Sequence, residues 1–309
     1  MPWESDFRVS TITYDIDNGS VTPVRGIVSA SAPANVEVEH EQSAGSIYAD
    51  TITVRRARPV VSFTTVDIPS AISAFGLVGK CIDGDGDDEG IAFFGQKQSC
   101  IGIASGSVHD KYLIKSAIVV PTTLSVDHLG NCQLSYDVYT RSTDGTTAPI
   151  VRSANNALPS VSAGPIGRWT MRAMTVGGVT VTGKRSISIN FGATVTQEGA
   201  DSEIYDSVTS LASVFPVINV RGVDPAWFNT VTTLLGGLAT HANTSIQLKR
   251  RDKAINLTEH IVLTGNGTVT LDTLFNAQLQ SPTECAFNVH LNHDGTNAPI
   301  LALTGQTLS

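Results

Sequence analysis

The chain has 309 residues, a length that suits two domains of roughly 150 residues with a core apiece. Its net charge of −8 excludes the basic footprint of a nucleic-acid reader, but not a surface that nucleic acid slides past without sticking. Charged residues make up only 16%, against roughly 25% in ordinary soluble domains, so either the surface is rich in Ser, Thr and Asn or other chains cover much of it.

Arg outnumbers Lys by 13 to 7, a bias that protein interfaces share. No apolar run approaches the roughly 20 residues of a membrane span, and Met1–Asp6 lacks the basic and apolar regions of a secretion signal. A protein made and used without export, with no membrane partner, is expected. Cys81, Cys100, Cys132 and Cys285 show no C-x-x-C spacing, so zinc and thioredoxin-like chemistry are unsupported. Cys81 and Cys100 bracket a loop and could meet, but buried free thiols are expected in a reducing cytoplasm.

From Phe7 to Val54 short Thr/Val/Ile stretches alternate with turn residues. Val36–Glu41 alternates strictly, which predicts a strand with one face on a core and one in solvent. Ala193–Glu198 alternates in the same phase. The stretch Tyr48–Asp67 then returns, without a gap, as Tyr205–Asp224. Tyr48 and Tyr205, Pro59 and Pro216, and Asp67 and Asp224 all pair at one separation, since 205 less 48 and 224 less 67 both give 157.

A helix is predicted after each copy. Asp67 is its N-cap, Pro69 lies in the first turn, and Ile68, Ile72 and Phe75 recur at helical spacing. In the second half Pro225 follows Asp224, and Phe228, Val231, Leu235 and Leu238 form one apolar stripe ended near Gly236-Gly237. Both stripes are expected to pack on a sheet. If Asp127 matches Asp272, the first half carries about a dozen extra residues, placed in the acidic loop Asp83–Gly90. Strands are predicted at Tyr112–Val120, Thr123–Asp127 and Gln133–Thr140, and again at Ile261–Thr264, Thr268–Asp272 and Ala286–Leu291.

A second echo, Asp144–Ile150 returning as Asp294–Ile300, closes each half. The aperiodic run Ser153–Gly167 joins them, with domain bounds of 1–158 and 168–309 and a linker at 159–167. The expected fold is mainly β: two tandem, similar β-sandwich or barrel-like domains made by duplication, each with one flanking helix.

Candidate chemistry is sparse. Asp83, Asp85 and Asp87 open like a calcium loop, but Asp88 replaces its glycine and Phe94 stands where the bidentate Glu belongs. A solvated acidic loop is the competing reading. The seven histidines show no ligand spacing, and His290 and His293 are expected at the surface. No phosphate loop, dinucleotide fingerprint or nucleophile elbow is present, so no enzyme activity and no cofactor are expected. Arg55, Arg56 and Arg58 and the run Lys249, Arg250, Arg251 do not hold matching places in the two halves. Such runs form solvated faces or meet acidic patches on a neighbouring subunit. They are taken, with Tyr48 and Tyr205, as candidates for assembly contacts, and Arg56→Glu is expected to impair polymerisation more than folding.

Sheet edges offer unpaired N–H and C=O groups, and a tandem pair offers two similar edges, so a ring of three chains can imitate a six-fold ring. The order strand, strand, long loop, Pro-led strand, capped helix, strands, occurring twice, resembles the tail tube proteins of long-tailed bacteriophages, in particular the duplicated kind that forms trimeric, pseudo-six-fold rings. The resemblance implies a virion protein of the tail, assembled in the bacterial host cytoplasm. Its rings would stack around a channel that holds a tape measure protein and later passes DNA, and would meet tail terminator and tail-tip proteins. It also implies stacking contacts through the loops Ile27–Tyr48 and Gly183–Tyr205. The alternative is a tail-tip or receptor/glycan-binding β-sandwich, for which exposed aromatic platforms are expected, whereas Trp3, Trp169 and Trp227 are dispersed.

Overall fold

A computed structural model describes residues 8–15, 22–45, 47–84, 89–99, 102–103, 106–160, 166–224, 227, 239–276, 284–293 and 298–308. The chain is mainly β. Among the described residues antiparallel strands make a five-stranded sheet, a thirteen-stranded sheet and three two-stranded sheets, accompanied by the helix Ile68–Phe75.

The five-stranded sheet has the order Ile150–Asn156, His109–Ile114, Gly90–Gln96, Arg8–Asp15, Thr22–Val24. The first half also supplies Ile27–Ser31, Val60–Thr65, Gln133–Thr140 and Ser116–Asp127, adjacent in that order, to the large sheet. Ile12, Ile91 and Phe93 of one sheet pack with Val61, Val119 and Tyr136 of the other in a single buried cluster. Burial along Val60–Thr65 and Gln133–Thr140 alternates residue by residue, as side chains pointing to opposite faces of a sheet require.

The helix buries Ile68, Ala71, Ala74 and Phe75. Phe75 meets Phe63 and Tyr136 edge-on at 5.7 and 5.5 Å, a favoured aromatic geometry. The Tyr136 hydroxyl donates to the Gly76 carbonyl at 2.8 Å, satisfying one of the carbonyls a helix end leaves over. Asp67 does not cap this helix with its side chain; its carboxylate instead accepts the Arg25 N–H at 3.3 Å. Of the second predicted helix, Trp227 is helical and buried, stacked on Phe287 at 4.7 Å. Pro225, Phe228, Val231, Leu235 and Leu238 lie outside the described residues.

Several strand limits differ from expectation. The chain breaks at Lys115, giving His109–Ile114 and Ser116–Asp127, and Ser116–Asp127 runs through Thr122 with a register shift there. The second half joins its two predicted strands into one, His260–Asn276. Ser153–Asn156, read as the start of the linker, belongs to a strand paired with His109–Ile114.

Pairing in the two halves follows one order. Val36–Glu41 pairs with Thr51–Ala57, and Ala193–Glu198 with Val208–Val214. Val36↔Ala57 has its counterpart in Ala193↔Val214, since 193 less 36 and 214 less 57 both give 157. The register shifts after Glu37 in one hairpin and after Thr194 in the other, also 157 apart. Phe63↔Ala30 and Val220↔Ile187 keep that separation. Further on, Val119↔Val138 corresponds to Val269↔Val289, each followed by the same bulge two residues later. This register sets Asp272 against Thr122 rather than Asp127, at a separation of 150. The surplus of the first half is therefore seven residues, from 157 less 150, and not a dozen. Tyr112↔Phe93 matches Val262↔Gln247, at separations of 150 and 154, so four of these residues fall between Gly90–Gln96 and His109–Ile114 and the remaining three before Gly90–Gln96.

The hairpins themselves depart from expectation in a way the alternation hides. All six residues of Val36–Glu41 are exposed, so neither of its faces lies on a core. Ala193–Glu198 alternates between half-buried and exposed.

Candidate functional site

Of the candidate contact residues, Arg56, Arg58, Tyr205 and Arg251 lie where the two halves of one chain meet. The seam begins as strand pairing. Thr123–Asp127 runs antiparallel to Ser186–Asn190, with Leu124 opposite Ile189 and Val126 opposite Ile187. All four of these side chains are buried. The large sheet thereby continues from one half into the other.

Beside that seam the second hairpin leans on the first half. A Cβ built on Gly79 would lie 3.1 Å from Leu211 Cδ2. Gln197 Nε2 donates to the Thr140 carbonyl at 3.0 Å. The turn before Val208–Val214 reaches furthest. The Ala57 N–H donates to the Ile204 carbonyl at 2.7 Å, and Ala57 forms an isolated parallel bridge with Tyr205. The N–H groups of Ile204 and Tyr205 both donate to the Gly145 carbonyl, at 3.0 and 2.9 Å. The Asp-Gly-Thr turn of the first half thus has a defined task. Asp144 accepts the Thr146 and Thr147 N–H groups at 2.9 and 2.7 Å, which fixes the turn. Those bonds, that of Thr147 foremost, hold its carboxyl well below the usual aspartate range. Gly145 has φ +70, and a Cβ there would collide with the Glu203 side chain. The matching turn at Asp294–Asn297 lies outside the described residues.

Asp206 closes this contact. Its side chain is 1% exposed and accepts the Arg56 Nε–H at 2.5 Å, with Arg56 Nη2 on the same oxygen. Arg58 Nε lies 3.1 Å from its other oxygen. Arg56 Nη2 also donates to the Gln197 carbonyl at 3.3 Å.

The candidate arginines therefore sort differently from the sequence reading. Arg56 and Arg58 do meet an acid, but on their own chain. Arg56→Glu, expected to impair polymerisation more than folding, would instead act on the fold itself, because a second carboxylate would face the buried Asp206. Arg55 is exposed on Thr51–Ala57, Tyr48 is 75% exposed, and Tyr205 is half-buried. Lys249 lies opposite Thr170 in the sheet. Arg250 pairs with Asp252 and Glu259, both at 2.9 Å. Arg251 crosses to the first half, donating to Asn131 Oδ1 and the Leu129 carbonyl, both at 3.1 Å. It too ties halves of one chain together.

Sequence reasoning missed one arrangement that occurs twice within the chain. His109 and His260 each open a strand and are buried. His109 Nδ1 accepts the Lys97 N–H at 3.0 Å, and His260 Nδ1 accepts the Arg250 N–H at 3.1 Å. The common position at a strand start was the available signal. His260 Nε2 lies 2.9 Å from the Ala254 carbonyl, so both ring nitrogens are engaged in holding a turn.

Compared with family models and with curated proteins, the chain matches none. Function must therefore be argued from geometry.

Catalytic geometry gives little to argue from. Among the described residues no group of three or more His, Cys, Asp or Glu is placed to hold a metal ion. Asp83 is exposed and its Oδ1 is engaged by Arg141 at 2.9 Å and by Ser116 at 3.0 Å, which lowers its pKa. Asp85 and Asp87 lie outside the described residues. An open groove of about 400 Å³ in the second half is lined by residues such as Thr175, Asn243, Ser245, Asn266 and Asn292, with no charged or aromatic side chain among its lining. Cys81 is exposed, not buried as expected, and free, whereas Cys132 and Cys285 are buried free thiols. Cys100 lies outside the described residues.

Proposed function

We propose that the chain is a structural subunit whose two halves are tandem copies, and that several copies join edge to edge into rings that stack as a bacteriophage tail tube. The observation that carries this reading is the strand pairing of Thr123–Asp127 with Ser186–Asn190. It joins the last part of one strand in the first half to the second-half strand that lies beside it in the large sheet. The same two pieces occur once more in the chain, and there they have no partner on that side among the described residues. Ile27–Ser31 ends the large sheet. The end of His260–Asn276, beyond Val269, is paired only with Glu284–Asn292.

Asn276 pairs with Glu284 as Ser125 pairs with Gln133, so repeating the internal register between two chains sets Asn276 against Ser31. An edge strand recruits a partner through its free N–H and C=O groups, and identical head-to-tail joins close into a ring when the rotation allows. An apolar groove of about 130 Å³, lined by residues including Ala30, Val61, Phe93 and Ile114, opens beside the free edge. In the second half, Ile187 and Ile189 stand where Ala30 and Ala32 stand in the first, and both are buried. The acidic net charge fits a conduit that passes DNA without holding it.

Negative-stain microscopy of the purified chain should show uniform rings or tubes. Ser29 and Ser31 are exposed on the free edge, so Ser29→Lys with Ser31→Lys should leave the melting temperature unchanged and keep the chain monomeric. Tubes of unaltered length from that variant would refute edge-to-edge assembly.

A further inference from the structure

We propose that the exposed hairpin of the first half is a docking arm for a second copy of this chain, and that Ile47 and Tyr48 seat against Val214 and Phe215 of that copy. This rests on the ring reading for its geometry. The argument starts from an asymmetry between two hairpins of identical register. The second, Ala193–Glu198 with Val208–Val214, lies on the first half of its own chain through Leu211, Gln197 and the Ile204–Asp206 turn. The first, Val36–Glu41 with Thr51–Ala57, is exposed over most of its length. Yet it carries Val36, Val38, Ile52 and Val54 at 47 to 64% exposure, with Ile47 at 83% and Tyr48 at 75% beyond it. A contiguous apolar arm of this kind is uncommon on a surface that stays wet.

The internal contact is a template for its occupant. The 157-residue separation places Tyr48 where Tyr205 is, Ala49 where Asp206 is, Val214 where Ala57 is and Phe215 where Arg58 is. Ala57 is buried by the turn it receives, while Val214 is half-buried and Phe215 is 70% exposed. Arm and receiving surface of the second contact are thus both present on one chain, with Ile47, Tyr48 and Phe215 largely exposed. Within one chain the arm leaves that surface open, with Tyr48 75% and Phe215 70% exposed. They meet if the next copy stands to the chain as its second half stands to its first. His40 holds the place of Gln197 and offers a ring N–H where Gln197 gives its amide.

The residues that differ between the two contacts also give the arrangement its specificity. Within the chain the turn brings a carboxylate to two arginines. Between copies it brings an alanine to a serine and a phenylalanine. An Asp206-type turn placed on Phe215 would bury an unpaired charge, and an Ala49-type turn placed on Arg56 and Arg58 would strand two, so each turn rejects the other's seat. Two similar docking contacts in one ring are thereby kept from exchanging.

The test uses the full chain with Cys81→Ser, since Cys81 is exposed. Tyr48→Cys with Val214→Cys should, on oxidation, give dimers and higher covalent multimers on a non-reducing gel. Ala57→Cys with Tyr205→Cys, the internal counterpart, should give a cross-linked monomer. In parallel, Ala49→Asp and Phe215→Arg should each raise the concentration for half-assembly about tenfold or more, and the double variant, which copies the Asp206–Arg58 pair, should recover most of it. Rings that form normally while the Tyr48/Val214 pair yields monomer alone, or assembly indifferent to both single charges, would overturn the docking arm and leave the ring reading standing. Absence of any assembly by the unmodified chain would overturn the ring reading itself.

Discussion

Asp206 is the residue whose loss the structure ranks most sharply against the loss of its partners. Its side chain is 1% exposed, whereas those of Arg56 and Arg58 are 25% and 36% exposed. Removing both arginines, as Arg56→Ala with Arg58→Ala, leaves a carboxylate buried without compensation, which costs about 3–5 kcal/mol. Removing the carboxylate, as Asp206→Asn, leaves two guanidinium groups that can each turn partly into water, so the cost should be lower, about 1–2 kcal/mol. The turn keeps its backbone bonds in either case, from Ser142 N–H to the Asp206 carbonyl at 2.8 Å and from Ala57 N–H to Ile204 at 2.7 Å. Unfolding entropy of about 2.1 cal/mol/K per residue over 309 residues makes each kcal/mol worth roughly 1.5 °C. The double arginine variant should therefore melt about 5–8 °C lower and Asp206→Asn about 2–3 °C lower. Thermal unfolding followed by circular dichroism, in the Ser29→Lys, Ser31→Lys background to suppress assembly, gives both values. A larger loss for Asp206→Asn than for the arginine pair, or no change in either, would refute the placement of a buried charge at this seam.

Gly145→Ala should destabilise the chain by more than about 1 kcal/mol, because the new Cβ meets Glu203 at contact distances no atom pair sustains and the backbone is at φ +70; limited proteolysis should then cut near the loosened 199–207 turn, and an unchanged pattern would count against the close approach. Asp144 is held below the ordinary aspartate value, so its contribution is present above that value and is lost as pH falls through the lower, folded-state one. Asp144→Asn should accordingly flatten the loss of stability below about pH 4, and acid titrations that superimpose on those of the parent would refute the assignment. Burial pushes the Cys132 thiol up to about 12, so native alkylation should spare Cys132 and modify Cys81, with peptide mapping as the check; modification of both at one rate would show that the core is open.

Much of the fold was legible because register and period speak through side chains. The gapless match from Tyr48 to Asp67 was readable since strands of the same length, bulged at the same place, tolerate no insertion without turning every side chain to the other face. The Val-Glu alternation announced a strand with two unlike faces, but alternation states only that a face is apolar, not what covers it. The apolar face of Val36–Glu41 is uncovered within its own chain, and no pattern along the sequence distinguishes a core from a neighbour. The acidic-loop count failed for another reason: two aspartates were matched by identity, whereas hydrogen-bond register aligns Asp272 with Thr122.

The seam was illegible where it matters most, since Arg56 and Asp206 stand 150 residues apart and nothing local couples them. The repeat nevertheless contained the clue in its exceptions. Where two halves share one register, matching residues describe the fold, and the mismatches at matching places describe what each half touches. Asp206 for Ala49, Arg58 for Phe215 and Ala30 for Ile187 are all mismatches of that kind, and all three lie on the surfaces argued to join halves or copies. A chain that closes one contact internally and leaves its twin open must mark them apart. If the open one used the same Arg–Asp pair, a neighbour's turn would compete for the seat of Asp206 on equal terms. Charge inside and apolar contact outside removes that competition. It also predicts unlike salt responses, with the buried pair at the internal seam little changed by screening and the apolar join between copies strengthened by salts excluded from the surface.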